Sequence, residues 1–311
     1  MGTQLVLDAP GRLRYEEYPE PDLAPGHVRL RTLFSGVSAG TELAQYRGIV
    51  PQTTRGWDPK RRLFSHSPTE PGSTYPLRDW GYEEVGEVIE VDGTTPRLRL
   101  GDIVWGSWGH RSTHVLDAER AARQRMPDGL EPVCGIFARI GAIALNGMLD
   151  AQVNVGETAA IFGAGVVGLI LIQLAKLAGA TVIAVDLLPP RLDAAKRVGA
   201  DVALRADAVD VAAEVRRMTS DRGADVCIEA TGAPAALHEA IRAAAYSATV
   251  VAMGFFQSDG RDLRLGEEFH HNRITIAGSQ ISGVPPRLAH RWNRRRLEET
   301  VMALQDAGRL H

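Results

Sequence analysis

The run Thr158-Ala159-Ala160-Ile161-Phe162-Gly163-Ala164-Gly165-Val166-Val167-Gly168 constrains this chain more than any other. A short apolar strand pattern meets three glycines spaced G-x-G-x-x-G, and an apolar helical run continues to Leu177. The glycines divide the work. Gly163 permits a tight turn, Gly165 lets backbone approach a pyrophosphate, and Gly168 lets the helix lie close to a sheet. Val167 sits in the first helical turn, where unpaired N–H groups and the helix dipole favour negative charge. By hydropathy alone Ala159–Ala180 reads as a membrane-spanning helix. The glycines break it instead into strand, turn and buried helix.

A second strand, Val182–Val185, ends on Asp186, about 20 residues past the last glycine. A carboxylate there accepts both hydroxyls of an adenosine ribose and repels a 2′-phosphate. The pattern therefore predicts NAD. Arg191, the nearest cation in sequence, keeps NADP open. Two later turns, Ala230-Thr231-Gly232 and Met253-Gly254-Phe255, follow further strand patterns. Thr231, Gly254 and Phe255 are thereby placed at the carboxyl edge of the sheet, where ligands bind in open α/β folds.

From about residue 130 onward strands alternate with helices: strand Thr158–Phe162, helix Val166–Leu177, strand Thr181–Val185, helix Pro190–Val198, and so on to a strand at Ile274–Ser279. Six such strands predict a doubly wound parallel sheet. Before residue 125 the pattern is β-rich, with short runs between Gly and Pro turns, which predicts a small irregular barrel. The fold class is α/β, with residues 1–128 as one domain, 129–285 as the dinucleotide domain, and 286–311 returning toward the first. An insertion from Tyr46 to Trp80 has no clear period and carries Arg55, Trp57, Lys60, Arg61, Arg62 and His66. Loops of that length inside compact domains are often functional. Arg55 and Trp57 are candidates to hold a polar or ring-bearing substrate.

With 35 Lys plus Arg against 38 Asp plus Glu, no global charge attracts nucleic acid or an anionic membrane. Two cysteines, Cys134 and Cys227, build neither a disulfide framework nor a four-cysteine zinc lobe. The amino terminus lacks a basic stretch followed by an apolar one, so a cytoplasmic setting is expected.

Several short segments carry a resemblance: Pro25-Gly26-His27-Val28, Ser35-Gly36-Val37-Ser38-Ala39-Gly40-Thr41-Glu42, Gly81-Tyr82-Glu83-Glu84-Val85-Gly86 and Gly101-Asp102-Ile103-Val104, together with the glycine turn. The chain resembles the medium-chain dehydrogenase/reductase superfamily, zinc-type alcohol dehydrogenase-like, and within it the bacteriochlorophyllide dehydrogenase-like branch. The resemblance implies a GroES-like catalytic domain, a Rossmann domain, hydride exchange with a nicotinamide, and a homodimer through the edge at Ile274–Ser279. Zinc-dependent members carry a Cys before Gly-Thr, a His in Gly-His-Glu, and a third ligand before the glycine turn. Those positions here fall on Ala39, Tyr82 and Arg139. None is a thiolate, imidazole or carboxylate, so no metal is expected.

Without a Lewis acid, hydrogen bonding and proton transfer must act on the substrate oxygen. Tyr82 and Thr41 fall where relatives place a ligand and a relay hydroxyl. Tyr82 is the expected acid/base, Glu42 and Glu83 its orienting groups, and Ser38 a further substrate contact. His110 and His114 read as structural. The expected reaction is hydride transfer between NAD(H) and a secondary alcohol or ketone of a small polar or ring-containing metabolite. Reduction of an enone or quinone C=C bond with NAD(P)H is the alternative, and a non-catalytic nucleotide-binding module or redox sensor a third.

Overall fold

The computed structural model describes residues 1–53, 55–65, 75–93 and 97–311; His66 of the insertion lies outside them. The chain divides into two compact units, Met1–Arg139 and Ile140–His311.

In the first unit, β1 (Gly2–Ala9) and β2 (Arg12–Tyr18) form a hairpin. Its turn is Pro10-Gly11, with Gly11 at φ +72. Next come β3 (His27–Gly36), the short helix α1 (Thr41–Arg47), the two-residue strands β4 (Trp57–Asp58) and β5 (Leu63–Phe64), then β6 (Glu83–Val91), β7 (Ile103–Gly106), β8 (Thr113–Asp117) and α2 (Ala118–Arg123). Strands β7-β6-β3-β8 make an antiparallel sheet. Irregularities at Arg29/Leu30 and Thr32/Phe34 break the β3–β6 register, and such bulges bend and twist a sheet. Val28, Leu30, Val88, Val104 and Trp108 are buried within it. This is the irregular β-rich assembly expected from the turn spacing. Strand β2 is the element that spacing misses. Its sequence, Arg-Leu-Arg-Tyr-Glu-Glu-Tyr, lacks an apolar alternation because no residue of it is fully buried.

Helix α3 (Phe137–Ala151) precedes β9 (Thr158–Phe162), α4 (Val166–Leu177), β10 (Thr181–Asp186), α5 (Pro189–Arg197), β11 (Val202–Arg205), α6 (Val211–Met218), β12 (Ala224–Glu229), α7 (Pro234–Ala243), β13 (Ala244–Ala252), β14 (Thr275–Gly278) and α8 (Arg294–Asp306). The second unit's sheet runs β11-β10-β9-β12-β13-β14, all parallel. That order reverses beside β9, and the ends of β9 and β12 therefore diverge into a crevice, the ligand position of such sheets. Strand β13 begins at Ala244, ahead of its apolar run Thr249–Ala252. Helix α7 passes into it without a loop, and Ser247 turns at φ +60.

The observed division falls after Arg139, where the sequence suggests 128, and residues 286–311 belong to the second unit. Packing gives the reason. Gly135 sits under Val85 and Met126 of the first unit. From α8, Leu297 and Val301 are fully buried, and Val301 lies directly over Gly141 of α3. The stretch Pro132–Ala151 is long and apolar enough to cross a membrane by length and composition. Gly141 under Val301 and Gly147 under Met253 show it packed as a core helix.

The glycine turn predicts a sharp contrast. A Cβ on Gly168 would stand 1.8 Å from the Gly163 carbonyl oxygen, whereas one on Gly165 meets nothing within 4 Å. Gly168→Ala should lose more than ~2 kcal/mol in urea unfolding, since backbone must shift. Gly165→Ala should stay within about 1 kcal/mol of the parent. Equal losses would show that the turn does not fix the helix against the sheet.

Candidate active site

In the second unit, three strand ends are stitched at the carboxyl edge. Gly163 N–H donates to Val185 O (2.7 Å), Ala230 N–H to Phe162 O (2.9 Å), and Gly254 N–H to Glu229 O (3.1 Å). A Cβ on Gly163 would strike Thr231 Cγ2 at 2.6 Å, and one on Gly254 would strike Gly232 N at 2.1 Å. Gly163, Thr231 and Gly254 therefore share one floor. Gly165 caps α4, whose first turn holds the half-buried Val167. Phe255 is 38% exposed at the rim.

Asp186 ends β10 nearly buried. Its Oδ2 accepts the Ala164 N–H (2.8 Å) and its Oδ1 the Leu188 N–H (2.9 Å); Arg191 stands 3.7 Å from Oδ2. The carboxylate is thus fixed by the glycine turn itself, and each oxygen keeps capacity for a further donor. One residue of this floor escapes the sequence. Glu229, wholly buried at the end of β12, accepts N–H bonds from Thr231 (2.7 Å) and Gly232 (3.0 Å), and the Thr231 hydroxyl as well. Burial raises its pKa. The only sequence signal is an acid closing an apolar strand before Ala-Thr-Gly.

In the first unit, a cavity of about 300 Å³ is lined by Thr41, Glu42, Gln45, Trp80, Gly81 and Tyr82 among others. The Ser38 and Thr41 side chains lie within reach of the Tyr82 phenol and pull its pKa down, so the three expected hydroxyls do converge. Burial nevertheless pushes the Tyr82 phenol up, and the charges of Glu83 and Glu42 push the same way. A phenol so placed stays protonated near neutrality and donates a hydrogen bond. The net rise works against the lowering that a tyrosine base requires and favours the acid half of the expected acid/base role.

The acids below it are unusual. Glu42 is 1% exposed, Glu84 0% and Glu83 6%. Glu42 Oε2 accepts the Ser38 N–H (2.5 Å), and its Oε1 meets His110 Nε2 (2.7 Å). His110 Nδ1 meets Ser35 Oγ (2.6 Å), which donates to Glu84 Oε1 (3.1 Å); Glu84 Oε2 accepts the Trp108 N–H (3.0 Å). Burial lifts Glu84 to about 8. It also lifts Glu83, helped by the Glu42 charge and opposed by Arg139, to about 7. Glu83 Oε1 is buried with no hydrogen-bond partner among the described residues. His110, read from sequence as structural, is the centre of this cluster. No local pattern reveals that, because α1, β3 and β6 bring its partners from far along the chain.

The remaining candidates lie apart from the cavity lining. Trp57 packs on Phe64 in the β4–β5 hairpin, with ring centroids 4.9 Å apart, and Arg55 is exposed nearby. Asp58 shapes that hairpin by accepting the N–H groups of Lys60 and Arg61. His114 stacks on Trp108, and burial lowers its pKa to about 4. Cys227 is core, and burial pushes its thiol up. Among the described residues one His/Cys/Asp/Glu trio gathers its ligand atoms within 4.8 Å: His238, Glu267 and Glu268 of the second unit. Arg242 and Arg264 already approach those two carboxylates, at 3.7 and 3.8 Å.

A six-stranded doubly wound sheet with this turn, in one chain with an antiparallel GroES-like sheet, defines a two-domain dehydrogenase. Residues 166–298 match the family described as Zinc-binding dehydrogenase. The chain is 32% identical over 312 residues to D-guloside 3-dehydrogenase of Shigella flexneri, covering 99% of this chain and 89% of that protein. It is 28% identical over 301 residues to (R,R)-butanediol dehydrogenase of Bacillus subtilis, covering 88% and 81%. A zinc-binding dehydrogenase from Sinorhizobium meliloti 1021 solved with NADP superposes with a TM-score of 0.74 at 22% identity, over 100% of this chain and 90% of that one. The chain belongs to the zinc-type alcohol dehydrogenase-like family of medium-chain dehydrogenases/reductases, and it is an alcohol oxidoreductase.

Glu83 carries a pH prediction. Its folded-state pKa lies above the unfolded value, so native protein binds the extra proton. Stability from this group is present below about pH 4.5 and is lost as pH rises to about 7. Glu83→Gln removes that loss. Its stability relative to the parent should therefore rise by on the order of 2–3 kcal/mol between pH 4.5 and 8 in denaturant titrations. A parallel pH dependence in both proteins would mean that Glu83 ionises as in water.

Proposed function

We propose that this enzyme oxidises a secondary hydroxyl of a small, polar, ring-bearing metabolite, or reduces the matching ketone, with NAD and without catalytic zinc. The supporting observation is the protonated Tyr82 phenol held by Ser38 and Thr41 over buried carboxylates, at a position where zinc-dependent relatives carry an imidazole. Ala39 offers no donor, Tyr82 a neutral phenol, and Arg139 a cation, so this set does not fit zinc. Glu42 and Glu84, the acids beside the His110 imidazole, are already paired with it at 2.7 and 3.7 Å.

The glycine-turn amides and the α4 amino terminus hold a pyrophosphate, and Gly163, Thr231, Gly254 and Phe255 form the floor and rim for the nicotinamide. When bound, that ring accepts a hydride from the carbinol carbon. Asp186, anchored by two amides, cannot swing away from a ribose, and its charge disfavours a 2′-phosphate. In the first unit, Tyr82 and Thr41 hydrogen-bond the substrate oxygen and Ser38 orients Tyr82. The relative named for D-guloside 3-oxidation supports a sugar-ring hydroxyl as the substrate class. Arg55 and Trp57 join this reading as outer contacts on the hairpin.

Fluorescence titration should give NADH at least tenfold tighter binding than NADPH, and Gly165→Ala should weaken NADH binding while the fold persists. Tighter NADPH would reassign Asp186 to a purely structural role. Absorbance assays with methyl glycosides and 2,3-butanediol, run beside enones and quinones, separate alcohol oxidation from C=C reduction; activity on enones alone would overturn the alcohol reading. Tyr82→Phe should cut turnover at least tenfold with NADH affinity unchanged.

The reading includes a cytoplasmic homodimer joined at β14, an edge strand with backbone groups free on one side. Ile276→Pro should shift sedimentation from dimer to monomer. A parent protein that sediments as a monomer would remove this part.

A further inference from the structure

Four side chains link the candidate cavity to the protein surface. Glu42, on the cavity wall, meets His110 Nε2 at 2.7 Å. His110 Nδ1 meets Ser35 Oγ at 2.6 Å, and Ser35 Oγ reaches Glu84 Oε1 at 3.1 Å. Glu42, His110 and Glu84 are all buried, whereas Ser35 is exposed. Gly81 completes the enclosure: a Cβ there would stand 2.9 Å from both the His110 ring and Glu84 Oε1. Around the imidazole stand Glu42 of α1, Glu83 and Glu84 of β6, the Asp79–Arg111 pair flanking His110, and Arg139, which faces Glu83. Trp80 closes the remaining side edge-on, 5.1 Å away.

We infer that the Glu42–His110–Ser35–Glu84 chain receives the proton that leaves the substrate hydroxyl and passes its equivalent to Ser35 and water. His110 is the positioning residue on which the transfer turns. The inference rests on the alcohol-oxidation reading above.

Hydrogen-bond directions define the states. Ser35 donates to Glu84, so His110 Nδ1 must donate to Ser35, and a proton also lies between Nε2 and Glu42. Above the Glu84 value of about 8, where that acid is ionised and accepts from Ser35, the resting chain is an imidazolium between two carboxylates. During oxidation the substrate O–H and C–H bonds break and a C=O bond forms. The hydride goes to oxidised nicotinamide dinucleotide, and the proton forms an O–H bond on Glu42. In answer, His110 Nδ1 gives its proton to Ser35 Oγ, and Ser35 gives its own to Glu84. One proton has entered and three charged groups have become neutral. Burial favours that change, because desolvation penalises every charged form lost. Glu84, lifted to about 8, can hold the proton near neutrality. Exposed Ser35 then returns it to solvent.

The test uses full-length protein with histidine 15N labels. At pH 9, where Glu84 is ionised, the parent should show both His110 ring nitrogens protonated, and Glu84→Gln should convert His110 to the neutral Nε2–H form. Ser35→Ala should uncouple His110 from Glu84 and, with a methyl glycoside or 2,3-butanediol as substrate, lower kcat at least tenfold. KM and NADH affinity should change less than twofold, and Ser35→Thr should restore turnover. Unchanged His110 spectra in both variants would overturn the chain. So would a Ser35→Ala enzyme with the parent's kcat and pH profile. Failure of the parent to oxidise any alcohol would instead overturn the reaction on which the chain depends, and the spectra would still decide whether the proton is shared.

Discussion

Among the described glycines, Gly168 leaves the least room for a side chain: a Cβ there would stand 1.8 Å from the carbonyl oxygen of Gly163 and overlap backbone. That contact sets the amino end of α4 directly on the end of β9. From there the rest of the second unit follows. The Gly163 amide bonds across to β10, and Ala164 takes the Asp186 carboxylate, which in turn holds Leu188. A single turn thus fixes both the place where phosphate charge is favoured and the place where a ribose would be discriminated. Helix dipole and amide donors contribute only if the helix cannot retreat. The missing side chain at Gly168 removes that freedom.

Buried acid recurs at both ends of the chemistry. Glu229 lies under the nicotinamide floor with its oxygens filled by amides and a hydroxyl, while Glu42, Glu83 and Glu84 lie under the Tyr82 cavity. The two sets differ in satisfaction. Glu229 is saturated by neutral backbone donors, the condition under which a buried polar group is structural. Glu83 has an oxygen with no partner among the described residues, and Glu84 shares its proton-accepting oxygen with an exposed hydroxyl. Unfilled or exchangeable acceptors are costly to bury and are concentrated where function uses them.

What could be read in the sequence was local. Gly163, Gly165, Gly168 and Asp186 occupy one βαβ unit, so their spacing alone carried the sheet, the turn and the acid. The strands β9, β10 and β12 have apolar middles, buried on both faces, which makes them legible. The cluster around His110 was illegible for the opposite reason. Its members come from α1, β3, β6 and the turn before β8, and their contacts are fixed by tertiary pairing rather than by spacing. Tyr82 was found, because a motif position marked it. Its protonation state was not, because burial beside Glu83 and Glu42 is a property of the fold. Trp57 and Arg55 show the converse. Their composition suggested a binding loop, but Trp57 spends its ring on Phe64.

On the metal-free reading proposed above, a phenol at Tyr82 changes what else the site must supply. A divalent cation stabilises alkoxide charge before hydride leaves. A neutral phenol stabilises it far less, so the substrate proton has to depart with the hydride or before it. That requires an acceptor whose proton affinity lies near neutrality, since a carboxylate of ordinary pKa drives the transfer poorly. Burial provides most of such affinity for carboxylates and neighbouring acids add to it, as for Glu83 and Glu84. On the metal-free reading, the buried acids near Tyr82 take over the ion's part. In water-exposed positions the same residues would repel one another weakly and accept no proton at neutral pH. Enclosed by Trp80, Gly81 and Trp108, they become bases of suitable strength.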